Sequence, residues 1–315
     1  MRYKKIIVLI LFVAAASVQN AVSQYDTRSM VSAFSATPEI PATYEWAGET
    51  VVLDRFDIRE RFDRELTGFC FNHTNTLLVI KRANRYFPIL KPILDEMGVP
   101  EDFLYLAVIE SYLNPRAVSP AKAAGMWQIM PSTGKSLGLE VSDYVDERYH
   151  IIKATRAACK SLKSAYKRYG SWITAAASYN AGQGRISTEL DKQVQEHAFD
   201  LWLNDETSRY IFRLMAMKAV MKDPLKYGFV IRKNQLYPQI RFDEVEVTEE
   251  IPDLSAFANE HGISYSQLKE FNSWLRDRKL PVKEGNSYIL LIPRVGDLYY
   301  SSNEQPVYYD KWTID

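Results

Sequence analysis

The chain has 315 residues, which at roughly 150 residues per domain leaves room for two domains. Hydrophobic residues make up 47% and charged residues 25%, so a disordered chain and an extended coiled coil both fit poorly, and 13 glycines exclude collagen. With 39 Lys and Arg against 39 Asp and Glu there is no global basic field, and nucleic acid is not an expected partner.

Arg2, Lys4 and Lys5 precede an uninterrupted apolar run, Ile6 to Ala16. That run is well short of the roughly 20 residues a spanning helix needs, and small residues follow it up to Ser23. Residues 1–23 therefore read as a cleaved signal peptide, with no transmembrane span left after cleavage. No cysteine lies near the run, so a lipoprotein is not expected, and the protein is placed in the periplasm or cell envelope. The two cysteines, Cys70 and Cys159, could pair in an oxidising compartment or remain buried thiols.

Residues 24–50 mix Ser, Thr, Pro and Ala without periodicity and read as a flexible leader. Helical spacing then dominates residues 51–225. Phe56, Phe62 and Leu66 share one face, and a second pattern runs from Leu77 towards Leu94. Pro100 opens a further helix, which Asn114-Pro115 should end. Ala154 to Tyr169 forms another, stopped by Gly170, and Ser171 can cap the next. Arg209 to Met221 completes the helical part. Residues 226–244 read as a linker with short strands, Phe229-Val230-Ile231 among them. In residues 245–293 the order strand, helix, helix, strand predicts a small, separable α+β module, followed by a tail at 294–315.

The helix from Glu101 is apolar on nearly every side and ends in Glu110. Burial and the negative end of the helix dipole both disfavour the charged carboxylate, as a general acid requires. On these residues alone Glu110 is equally readable as an exposed carboxylate in a last turn. Downstream, Gly125-Met126-Trp127-Gln128-Ile129-Met130 and Ser178-Tyr179-Asn180-Ala181-Gly182 place amides and a phenol that could bind sugar hydroxyl and acetamido groups. Core packing and a helix end account for the same residues taken singly.

Glu110-Ser111, Ser119, Gly125 to Gln128 and Tyr179 to Gly182, in that order, resemble the successive motifs of the soluble-lytic-transglycosylase family. The surroundings, including Val145-Asp146-Glu147-Arg148 and Glu206-Thr207-Ser208-Arg209-Tyr210, resemble its murein transglycosylase D group. The resemblance implies a mainly α protein with a goose-lysozyme-like helical catalytic domain. It makes Glu110 the catalytic residue and has Ser111 support the helix end. Ser119, Gln128, Met130, Tyr179, Asn180 and Tyr210 would line the glycan cleft. Gly125-Met126-Trp127-Gln128 stands where the family commonly has Gly-Leu-Met-Gln, and Trp127 would reshape one sugar subsite.

The implied activity is cleavage of the N-acetylmuramic acid–N-acetylglucosamine bond of peptidoglycan, with a 1,6-anhydro product. Glu110 would act first as acid and then as base. A water-using muramidase and a non-catalytic peptidoglycan-binding protein are the alternatives. Most glycosidases need two carboxylates, whereas these motifs carry one acidic residue. Asp143, Asp146 and Glu147 are the reserve candidates, read as loop, cap or salt-bridge residues. Leu254 to Ala258, Gly262 to Ser264, Phe271-Asn272 and Tyr288 to Pro293 resemble a LysM module, which binds N-acetylglucosamine-containing glycans or serves as a structural cap. His73, His150, His197 and His261 are scattered without metal-ligand spacing, so neither a metal nor a cofactor is expected. Gly134-Lys135-Ser136 lacks the first glycine of a P-loop, and the Ser-x-x-Lys matches lack a partner motif.

Overall fold

The computed structural model describes residues 37–300 and 306–315, and Ile40–Asp315 forms one compact unit. The expected signal peptide and the leader up to residue 36 lie outside the described residues. Among the described residues, no helix is long and apolar enough to cross a membrane.

The protein is mostly helical, but its helical body begins earlier than expected. Strands β1 (Thr43–Trp46) and β2 (Glu49–Val52) pair antiparallel, β1 within the segment read as leader and β2 across its boundary at residue 50. Trp46 is fully buried and meets the edge of Phe103, and the Ala47 amide donates to Asp102 at 2.5 Å. Glu49 accepts from the Ser171 hydroxyl at 2.8 Å and from the amides of Trp172 and Ile173. It thereby caps a helix whose first N–H groups would otherwise be unsatisfied. The polar composition of this stretch concealed these tertiary anchors.

Helix α1 (Phe56–Phe71) buries Ile58, Phe62, Leu66 and Phe69 on one face, together with Glu65. Helix α2 (His73–Glu96) continues through Pro88 and Pro92. After a 3₁₀ turn at Glu101–Phe103 comes the short α3 (Leu104–Ser111), buried from Leu104 to Ile109. It ends at Tyr112 and Leu113, both left-handed at φ 51° and 56°, and so stops before Asn114-Pro115. Arg82 holds the Tyr112 carbonyl at 3.0 Å.

Helix α4 (Pro131–Ser136) is short. Helix α5 (Ile151–Tyr169) stops at Gly170 with φ 67°, and the Ser171 hydroxyl accepts from Thr174 to cap α6 (Trp172–Ala181). Helix α7 (Gln183–Gln193) leads to α8 (Asp205–Lys222), which packs against α1, α3 and α6. An α8 residue, Arg209, donates to buried Glu65 at 2.6 Å and so ties α8 to α1.

Phe229-Val230-Ile231 is not a strand. Phe229 and Ile231 are buried as extended chain against the helical core, with no ladder partner. Strands β3 (Phe242–Val247) and β4 (Tyr288–Pro293) pair antiparallel with Val245 opposite Leu290. Between them lie α9 (Leu254–Glu260) and α10 (Tyr265–Phe271), so the module is βααβ.

The module shares a core and backbone bonds with the helical body. Leu254, Ala258, Leu268, Trp274 and Leu290 share one core with Ala124, Val145 and Tyr149. Backbone bonds cross the junction from Asp146 to Trp274 and from Arg276 to Tyr144, each 2.8 Å. The tail returns as well: Trp312 is 1% exposed, and its indole N–H donates to the Met221 carbonyl at 2.6 Å. Cys70 and Cys159 are free and buried, and burial pushes their thiols up to about 11 and about 12.

Candidate active site

Glu110 sits in the last turn of α3, in the protein interior, and keeps partial exposure. Tyr210 of α8 donates to Glu110 Oε1 at 2.5 Å. Burial pushes the Glu110 carboxyl up to about 7, and Glu206 adds to the rise. The Tyr210 bond and the Arg213 guanidinium act in the opposite direction. The carboxyl is therefore about half protonated near neutrality, which suits a group that must give up a proton and later take one back. Burial and the adjacent Glu110 raise the phenols of Tyr179 and Tyr210 well above their ordinary value, so both remain donors.

A loop is braced against this acid. The Ser111 hydroxyl donates to the Met126 carbonyl at 2.8 Å, and the Tyr179 hydroxyl donates to the Trp127 carbonyl at 2.8 Å. Gln128, in a left-handed conformation at φ 47°, turns its own amide back onto the Gly125 carbonyl at 2.9 Å. Arg148 secures the outer side, donating to the carbonyls of Lys122 and Ile129 at 2.7 and 3.1 Å. Gly125 has φ +77°, and a Cβ there would lie 1.9 Å from the Arg148 carbonyl oxygen. Only glycine allows this close backbone approach.

Tyr210 and Tyr179 are thus brought to Glu110. Ser119 accepts from the Ala123 amide at 3.0 Å within its own turn, and Gln128 braces its own loop. Met130 is 41% exposed, and Asn180 is partly exposed near the end of α6. Trp127 does not reshape a sugar subsite: it is fully buried, and its indole donates to Thr155 at 2.8 Å. Asp146 chelates Arg148 through bonds of 2.9 and 2.7 Å, and Glu147 accepts from the Glu140 amide at 2.8 Å and pairs with Lys153. Asp146 and Glu147 are scaffold groups. Among the described residues, no group of three or more His, Cys, Asp or Glu is placed to hold a metal ion.

Sequence reasoning missed Glu206 and Arg213. They lie four residues before and three after Tyr210, on the α8 face that meets Glu110, and that spacing was the available signal.

Residues 88–201 match the model of the transglycosylase SLT domain, and residues 243–296 match that of the soluble lytic transglycosylase C-terminal LysM-like domain. The chain carries an SLT domain with a C-terminal LysM-like domain. The SLT domain holds Glu110, the braced loop and Tyr179, while Tyr210 and Arg213 come from α8 beyond the matched segment.

The chain is 28% identical over 245 residues to the membrane-bound lytic murein transglycosylase D of Escherichia coli K12, covering 76% of this chain and 52% of that protein. It is 29% identical over 182 residues to the peptidoglycan transglycosylase gp16 of Escherichia phage T7, covering 55% of this chain and 14% of that protein. It thus spans about half the length of the first of these relatives. Among solved structures, the 70 kDa soluble lytic transglycosylase of E. coli matches with 24% identity and a TM-score of 0.38, over 44% of this chain and 24% of that chain.

Proposed function

We propose that the chain is an exported peptidoglycan lytic transglycosylase that cleaves the β-1,4 bond between N-acetylmuramic acid and N-acetylglucosamine. The observation that carries this reading is Glu110, a carboxyl raised to about 7 inside an SLT domain and held by Tyr210. In this reading protonated Glu110 gives its proton to the bridging oxygen as the bond to the muramoyl anomeric carbon breaks. The carboxylate left behind accepts the proton of the muramoyl C6 hydroxyl, whose oxygen bonds to the anomeric carbon and closes a 1,6-anhydro ring. Tethering the nucleophile to the reacting ring gives it an effective concentration of up to about 10⁵–10⁸ M in favourable cases.

One carboxyl suffices for this proton cycle. Of the three reserve carboxylates, Asp146 and Glu147 are engaged by Arg148 and Lys153, while Asp143 is exposed and remains the candidate base of the muramidase alternative. Ser119, Gln128, Met130, Asn180 and Tyr179 form the proposed glycan-facing rim, with Ser111 supporting the end of α3. The LysM-like domain enters as part of the catalytic body, because it shares a core with residues of the 141–150 segment. Purified sacculi digested by the protein and analysed by mass spectrometry test the reading. Muropeptides one water lighter than hydrolysis products, without a reducing end, are expected. Hydrated reducing-end products would make the protein a muramidase, and no release of products would make it a binding protein. Glu110→Gln should abolish turnover while keeping the fold.

A further inference from the structure

A cavity of about 440 Å³ opens between α1 and α8, and Tyr112, two residues beyond Glu110, lies in its wall. Its charged lining is mostly self-neutralised. Arg209 pairs with Glu65 at 2.6 Å and with Asp205 at 3.4 Å, and Asp205 also pairs with Arg64 at 3.2 Å. Arg213 is different. It lines the same cavity, is partly exposed, and among the described residues makes no ion pair or hydrogen bond. It stands one helical turn beyond Tyr210, whose hydroxyl touches Glu110. Glu206, the remaining carboxylate of the wall, is seven residues away, about 10 Å along the helix, so the Arg213 end is the cationic end.

We infer that Arg213 binds a carboxylate of the muramoyl unit and so selects which sugar occupies the subsite beside Glu110. This rests on the peptidoglycan reading above. The two alternating sugars of the glycan differ in charge: only the muramoyl ring carries a lactyl ether. In glycan stripped of peptide that ether ends in a free carboxylate. In peptide-bearing glycan it is amide-linked to a stem with carboxylates of its own. A guanidinium with no ion pair or hydrogen bond among the described residues, in the wall of a cavity, supplies a charge-assisted, two-pronged contact to either carboxylate. The N-acetylglucosamine ring offers it nothing comparable. Arg213 is on this account a specificity-determining residue, and proton transfer stays with Glu110.

Binding is measured with the Glu110→Gln protein, which separates recognition from turnover, and with the same protein carrying Arg213→Gln or Arg213→Lys. The ligands are neutral chitotetraose, a peptide-free muroglycan tetrasaccharide and its stem-bearing counterpart. Arg213→Gln should weaken binding of carboxylate-bearing glycan by ~10–100-fold, as expected for loss of a charge-assisted bond, and leave chitotetraose within a factor of two. Arg213→Lys should recover part of the loss. A deficit on both muroglycans assigns the lactyl region, and a deficit confined to the stem-bearing one assigns the stem. Equal loss on all three ligands, or none on any, overturns the proposal. Product analysis of the unsubstituted enzyme is read separately: absence of anhydro products sinks the transglycosylase reading whatever the binding pattern.

Discussion

The Tyr210 hydroxyl reaches across from α8 to donate a 2.5 Å hydrogen bond to Oε1 of Glu110 at the end of α3. The bond favours the ionised carboxylate and opposes the rise that burial imposes on it. Tyr210→Phe should therefore raise the Glu110 pKa further, since it removes a hydrogen bond that favours the charged form. The alkaline limb of the pH profile of kcat/KM should move up correspondingly, while kcat falls because the carboxylate needed as base forms less readily. An unmoved limb would remove Tyr210 from control of the acid.

The raised carboxyl also fixes how stability depends on pH. Glu110 titrates near 7 in the folded protein against about 4.5 when unfolded, so between these values the folded state binds the extra proton. Stability should fall as pH rises from about 4.5 to about 7, and the cost should level off above that at about 3 kcal/mol. Glu110→Gln removes the ionisable group. It should match the wild type near pH 4 and exceed it in urea-unfolding stability at pH 8. A constant difference across that range would contradict the assignment.

Gly125→Ala should be severely destabilising, by about 3 kcal/mol or more, because the new Cβ meets the Arg148 carbonyl on a backbone that already has positive φ. The urea midpoint reports the stability loss. Near-neutral behaviour would mean that the loop relaxes without loss of Arg148 contacts.

Ending the chain at Tyr227 should not leave an intact catalytic body. Such a truncation uncovers Val145 and Tyr149 and removes Trp312 from the helical core. Within the full chain, Trp312→Ala should cost about 3–5 kcal/mol, the range for a fully buried large aromatic. Thermal unfolding of both variants checks this, and a single, undisplaced transition in the truncated protein would restore the module's independence.

Much of the fold is legible locally. Phe62 to Leu66, Ala154 to Tyr169 and Tyr288 to Ile292 carry the helical and strand patterns they adopt, because burial of one face imposes its period on the sequence. Phe56, read onto the face of Phe62, is instead 73% exposed at the start of α1. Gly170 and Ser171 mark a stop and a start for the same kind of reason, since each fills a backbone need within a few residues. Glu110 stood out as a carboxylate closing an apolar helix, but the helix pattern alone read equally well as an exposed last turn, and the resemblance of the successive motifs singled it out.

What the sequence withheld depends on partners distant along the chain. Thr43 to Val52 was read across a leader and a helical start, yet it forms a hairpin about Ala47-Gly48 whose Trp46 and Glu49 find Phe103 and the start of α6. Trp127 looked available to a sugar until the fold enclosed it with Thr155. The LysM-like segment read as separable because its own pattern is complete, and the core it shares with Ala124, Val145 and Tyr149 appears only in the fold. Arg213 offered only its three-residue spacing from Tyr210. The sequence determined which residues are apolar, which can cap and which can titrate. Tertiary packing decided which of them lose water and which charges form ion pairs, because desolvation and ion pairing are set by neighbours that arrive from elsewhere in the chain.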